Sequence, residues 1–189
     1  GNTFSKLSEK GMYFEQLSNA SLDGNEFDDV GNYGRVAPPF GLAASNGDFG
    51  QAIDINLKYG TYEDVEFTNT TITNSGHSNR DGAGSPGAFG AAIGIKTRDD
   101  APSYSGSPAD FDGQIVFDGL TIDGTSTGVR IGEPGKNNLD PDVLLQNVTI
   151  TGATVSDVEN TTHPVNGGTV TVEFSADPKM PAEGKPGEM

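Results

Sequence analysis

The hexapeptide LQNVTI at residues 145–150 is matched without a gap by FDGLTI at 117–122, FTNTTI at 67–72 and LDGNEF at 22–27, and from its third position by GNTF at 1–4. All five end on an apolar residue (Phe4, Phe27, Ile72, Ile122, Ile150), and the four complete ones begin on one (Leu22, Phe67, Phe117, Leu145). Between them runs a column of Gly1, Gly24, Asn69, Gly119 and Asn147. Glycine and asparagine enter the left-handed backbone region at least cost, so this column predicts a sharp bend between two short strands, repeated on every copy.

A second group of segments alternates apolar and polar residues with the strand period of two: GMYFEQL (11–17), AIDINLK (52–58), AIGIKTR (92–98) and GVRIGEP (128–134). Met12 and Phe14, Ile53 and Ile55, Ile93 and Ile95, and Val129 and Ile131 then point to one side. Bend and strand alternate along the chain. Successive bends lie 23, 45, 50 and 28 residues apart, so the extra length falls into loops at 31–50, 75–90 and 99–112, rich in Gly, Pro, Ser and Asn.

Short strands of parallel sense, separated by left-handed bends and stacking like residue on like, follow the logic of a solenoid with layers ~4.8 Å apart. From residue 1 to about residue 152 the pattern resembles the right-handed parallel β-helix of the pectate-lyase-like superfamily, which includes polysaccharide lyases, epimerases, phage tailspikes and secreted bacterial repeat modules. The resemblance implies an all-β solenoid of about five coils with long loop insertions. Its handedness comes from the resemblance and from the rule for parallel crossovers. A β-sandwich is the other fold to weigh, and it is disfavoured because the Gly/Asn bends recur in register rather than at hairpin turns.

The solenoid module is expected to occupy residues 1–174, with GGTVTVEF (167–174) as its last strand, and residues 175–189 read as a linker or extended tail rich in Pro, Gly, Lys and Glu. Residue 1 falls inside a bend motif, so the first coil is expected to be covered by neighbouring domains or by another subunit.

Composition narrows the function classes. Leu, Ile, Val and Phe make up 40 of 189 residues, just above the ~20% below which a charged chain stays disordered, so order must come from patterning. Without cysteine there is no disulfide, thiolate metal site or cysteine nucleophile. A net charge of −16 repels nucleic acid and anionic lipid, and no apolar run is long enough to insert in a membrane. Absence of cysteine with abundant Asn, Thr, Ser and Gly points to an extracellular or cell-surface location in bacteria.

Stacking the four alternating segments places Tyr13, Asp54, Gly94 and Arg130 in one outward column, Glu15, Asn56, Lys96 and Gly132 in the next, and Leu17, Lys58, Arg98 and Pro134 in a third. Four of the 11 basic residues thus share one outward face, flanked by Glu15, Asp54, Asp99, Asp100 and Glu133, where neighbouring columns permit ion pairs. As a groove, this face would take an acidic polysaccharide. Lys96, Arg98, Arg130, Asp54 and Tyr13 are the catalytic candidates for a polyuronate lyase or epimerase, because neutralising a uronate carboxylate eases removal of the adjacent ring proton. Glu15, Lys58, Tyr59 and Asp99 are the substrate-binding candidates. The plainer reading is that the stacked charges pair with one another and the chain is a structural or carbohydrate-binding module without catalysis. The lyase and epimerase signature motifs of the superfamily are absent, which favours this second reading.

Three further patterns carry less. The carboxylate pairs Asp28–Asp29, Asp99–Asp100 and Asp140/Asp142 are the expected accidents of 27 acidic residues, although glycoside hydrolysis also uses two carboxylates. No cofactor is required by any motif. Calcium is the ion such clusters would suit, at no assignable site, since the EF-hand and nonapeptide patterns are missing. His77 and His163 read as surface residues, and GAGSPG (82–87) lacks the Lys-Ser/Thr of a phosphate loop.

Overall fold

The structure, a computed structural model, describes residues 1–7, 9–32, 50–77, 90–99, 108–132, 138–139, 141–161 and 170–174. All regular elements among them are strands: β1 (Thr3–Leu7), β2 (Met12–Phe14), β3 (Ala20–Asp23), β4 (Glu26–Val30), β5 (Ile53–Leu57), β6 (Gly60–Thr68), β7 (Thr71–Thr73), β8 (Ile93–Arg98), β9 (Ala109–Asp118), β10 (Thr121–Ile131), β11 (Asn138–Leu139), β12 (Asp142–Asn160) and β13 (Val170–Phe174). They form one 13-stranded sheet that is parallel throughout except where β11 runs antiparallel to β8.

Three parallel ladders organise this sheet. The first joins β1, β4, β7, the start of β10 and the middle of β12, and places Phe4, Phe27, Ile72, Ile122 and Ile150 side by side. The second joins β2, β5, β8, the end of β10 and the end of β12, and aligns Met12, Ile53, Ile93, Val129 and Val158. The third joins β3, β6, β9, the start of β12 and β13, aligning Leu22, Phe67, Phe117, Leu145 and Val172. The chain visits the ladders in the same order on each of five passes, which is a solenoid-like β architecture.

Inward members of the three ladders make up one apolar core, with Phe27, Ile53, Phe67, Ile93, Phe117 and Ile122 fully buried. The rings of Phe4 and Phe27 stack at 4.9 Å between centroids, and those of Phe67 and Phe117 at 4.7 Å. Like residues stack because a parallel register repeats the same side-chain position at each layer.

The bend column is left-handed where the sequence places it: φ is 66° at Gly24, 50° at Asn69, 73° at Gly119 and 53° at Asn147. Each asparagine amide also bonds an aspartate of the preceding third-ladder strand or its neighbour: Asn69 Nδ2 donates to Asp23 Oδ1 at 2.8 Å and Asn147 Nδ2 to Asp118 Oδ1 at 2.6 Å. A second left-handed column lies five residues on, at Lys6, Asp29, Asn74, Gly124 and Gly152. It escapes a search for glycine and asparagine because Lys6 and Asp29 occupy two of its places.

Several boundaries differ from expectation. The segment 11–17 is strand only over Met12–Phe14, and residues 109–112, expected in a loop, begin β9. The last strand is Val170–Phe174. Most of the three expected loops, Pro134, Asp100, Asp140, His163, the 82–87 segment and the 175–189 tail lie outside the described residues.

Candidate functional site

Alternation in the second ladder sends Ile53 and Ile55 into the core and Asp54 and Asn56 to the other side. Register does the rest. Tyr13 pairs with Asp54, Asp54 with Gly94 and Gly94 with Arg130, while Asn56 pairs with Lys96. The first expected column is therefore in register, as is the Asn56–Lys96 step of the second, while Pro134 of the third lies outside the described residues.

Their environment is not the open stripe that alternation suggests. Asp54 is 0% exposed, Lys96 4%, and Arg98 and Arg130 3% each. Charges leave water at least cost when they are paired, and Asp54, Lys96 and Arg130 are. Asp54 lies between two ammonium groups, Lys10 Nζ at 2.6 Å from Oδ2 and Lys96 Nζ at 2.9 Å from Oδ1. Arg130 Nε donates to Glu159 Oε2 at 2.8 Å, and its Nη2 donates to the Gly90 carbonyl at 3.2 Å and to Thr127 Oγ1 at 3.3 Å. Gly94 contributes no side chain, and Gln51 fills the space, its Nε2 lying 3.3 Å from where a Cβ would stand.

The exposed chemistry sits at one edge of this buried network. Tyr13 is 42% and Tyr59 44% exposed. The Tyr13 hydroxyl donates to Glu15 Oε1 at 2.6 Å and accepts from Asn56 Nδ2 at 2.9 Å, and Lys58 Nζ also bonds Glu15 Oε1. The Lys58 hydrogen bond, followed by that from Tyr13, holds the Glu15 carboxyl below its ordinary value. Lys10 Nζ lies 4.1 Å from the centroid of the Tyr13 ring, over one of its faces.

Tyr59 carries a φ of 29°, followed by Gly60 at 107°. A bulky residue in that region is strained, and strain of this kind persists only where the surroundings impose it. Here the Tyr62 hydroxyl donates to the Tyr59 carbonyl at 2.7 Å and also bonds the Lys58 carbonyl. Burial, with smaller contributions from Tyr59 and Glu15, pushes the Tyr62 hydroxyl above its ordinary value.

Of the catalytic candidates, Lys96, Arg98, Arg130 and Asp54 are thus buried, and Tyr13 alone is open. Of the binding candidates, Glu15, Lys58 and Tyr59 gather with Tyr13 at the exposed corner, and Asp99 follows β8 half-buried. Sequence reasoning left out Lys10, Tyr62 and Glu159. Lys10 precedes its strand by two residues, so alternation does not reach it. Glu159 belongs to a fifth copy of the second ladder, whose signal, Val158 preceding a polar residue, is short.

A separate open groove of about 410 Å³ lies on the outer side of the third ladder, lined by Asn19, Ser21, Asp64, Glu66, Gln114 and Val116. The Asp28–Asp29 pair has local partners: Asp28 Oδ1 accepts from Thr73 Oγ1 at 2.9 Å and Asp29 Oδ1 from Asn32 Nδ2 at 2.6 Å. Among the described residues no three His, Asp or Glu side chains are placed to hold one metal ion, and no helix is long and apolar enough to cross a membrane. Comparison with known proteins finds no family model, no curated protein and no solved structure that matches this chain.

Proposed function

We propose that the chain is a right-handed parallel β-helix of the pectate-lyase-like kind, serving as a structural, carbohydrate-binding module of a secreted bacterial protein. The observation that carries this reading is the division of the second ladder into a buried, mutually neutralised interior and an exposed corner with two tyrosines. A polyuronate lyase or epimerase needs cations that a substrate carboxylate can reach. Asp54 already holds Lys96 away from solvent, and buried Arg130 is held by the partly exposed Glu159.

Sugar rings present C–H faces to aromatic rings and hydroxyls to polar neighbours, and Tyr13, Tyr59, Glu15 and Lys58 supply both. Lys10 and Lys58, each paired with one carboxylate but still in contact with solvent, keep a cationic edge beside this surface, and calcium would help a chain of charge −16 approach an acidic polysaccharide. The extracellular placement rests on the cysteine-free, acidic, Asn- and Thr-rich composition.

The test is titration of the protein with alginate, pectate and neutral glucans, with and without calcium, while following the ultraviolet absorbance of unsaturated product. Saturable binding without product, weakened roughly tenfold by Tyr13→Ala or Tyr59→Ala, is expected. Product formation abolished by Lys96→Met would make the chain a lyase, and no binding to any polymer would leave a purely structural module.

A further inference from the structure

Tyr62 joins the core to the exposed corner. Its ring belongs to the apolar core at 6% exposure, and it pairs in register with Phe111 of the next layer. Its hydroxyl reaches a group of backbone carbonyls: it donates to that of Tyr59 at 2.7 Å, bonds that of Lys58 and lies 3.4 Å from that of Glu15. Lys58 N donates to the same Glu15 carbonyl at 3.1 Å. One hydroxyl thus gathers the backbone of two passes of the chain where each carries corner residues, Glu15 on the first and Lys58 and Tyr59 on the second.

The ring and the hydroxyl have separable roles. Phenylalanine would fill the same space in the core, so packing alone does not call for tyrosine, whereas a buried hydroxyl needs partners and finds them here. The turn it holds does not form cheaply, because φ is 29° at Tyr59, which carries a Cβ, and 107° at Gly60. A Cβ on Gly60 would meet nothing nearer than the Tyr62 hydroxyl at 3.8 Å, so the glycine answers to backbone conformation rather than to space. Burial raises the hydroxyl above its ordinary value, so it remains a donor at neutral pH.

We infer that Tyr62 is a positioning residue of the corner, its hydroxyl holding the Tyr59 peptide in the left-handed turn and tying it to Glu15, so that Tyr59 and Tyr13 are preset for a carbohydrate that Tyr62 does not touch. The effect reaches Tyr13 through Glu15, whose Oε1 accepts from the Tyr13 hydroxyl at 2.6 Å and is also bonded by Lys58 Nζ. Rings fixed before the ligand arrives need less ordering when it binds. The ligand in this inference rests on the carbohydrate reading given above, and the positioning rests on the hydrogen bonds alone.

The test uses Tyr62→Phe in the 189-residue chain, with two readouts. Without any ligand, amide hydrogen exchange followed by NMR should be about fivefold faster at Lys58, whose N–H bonds the Glu15 carbonyl, and unchanged at Ile95 in the buried β8. In titrations with alginate, pectate and a neutral glucan, binding should weaken about three- to tenfold. Tyr62→Phe combined with Tyr59→Ala should bind no more weakly than Tyr59→Ala alone, because a residue that acts through Tyr59 has nothing left to position. Gly60→Ala disturbs the same turn from the backbone side and should reproduce both effects without altering the core.

Unchanged Lys58 exchange in both Tyr62→Phe and Gly60→Ala would overturn the positioning role whatever the chain binds. Losses that simply add in the double variant would overturn it as well, since they would make Tyr62 independent of Tyr59. Faster exchange at Lys58 in a chain that binds none of the three polymers would overturn the carbohydrate reading and the ligand assigned here with it.

Discussion

The ring of Phe67 lies on that of Phe117 with centroids 4.7 Å apart and planes 6° apart, joining the second and third passes of the chain inside the core. Both side chains are fully buried. Phe67→Ala should lower unfolding free energy by about 3–5 kcal/mol, from lost transfer energy and the cavity left between neighbours that are themselves stacked. Urea denaturation measures this. Phe4, half-buried at the end of its own stack, should lose less on the same change, and equal losses would mean that the end layer is as well packed as the centre.

Asn147 tests the bend. Its φ of 53° suits asparagine and glycine, so Asn147→Val should cost roughly 1–3 kcal/mol through backbone strain, beyond the hydrogen bond to Asp118 that it removes. Asn147→Gly keeps the conformation and loses the amide. If valine and glycine variants unfold at the same denaturant concentration, backbone conformation is not what asparagine contributes there.

The Lys10–Asp54–Lys96 cluster gives an asymmetric expectation. Asp54→Ala removes a buried carboxylate from the buried Lys96 ammonium and should destabilise by about 3–5 kcal/mol. Lys10→Ala, at a side chain 26% exposed, leaves the Asp54–Lys96 pair intact and should cost less than about 1 kcal/mol. Thermal melts of the two variants side by side decide it; a larger loss for Lys10 would reverse the assignment of which pair matters.

Stability should fall in acid through Glu15 and Asp23. Hydrogen bonds from Lys58 and Tyr13 lower the first, and those from Thr68 and Asn69 lower the second. A carboxyl depressed in the folded state contributes its full stabilisation above its unfolded value, 4.5 for Glu15 and 3.8 for Asp23, and loses it as pH falls through the folded one. The melting temperature should therefore decline below about pH 4.5, and Asp23→Asn should flatten the acid limb of that curve. An unchanged limb in the variant would assign the decline to other carboxylates.

Much of the fold is legible in the sequence because its determinants are local. Gly24, Asn69, Gly119 and Asn147 announce their bends through their own backbone preference, and Ile53/Ile55 and Ile93/Ile95 announce their ladder by a period of two. Where a bend is occupied by Lys6 or Asp29, intrinsic preference gives no sign of it. Layers above and below impose the conformation, and only the stacked structure reveals the column.

The site divides along the same line. From the sequence alone, Tyr13, Asp54 and Arg130 could be placed in one column and Lys96 beside Asn56, since register follows from repeat spacing. Whether that column faced water or was sealed, and that Asp54 would be claimed by Lys10 and Lys96 while Glu159 took Arg130, was decided by tertiary structure. Bends and periodicity are energies of a few neighbouring residues. The value of a charge changes with its burial and with partners 29 to 44 positions away, and neither exists until the layers have stacked.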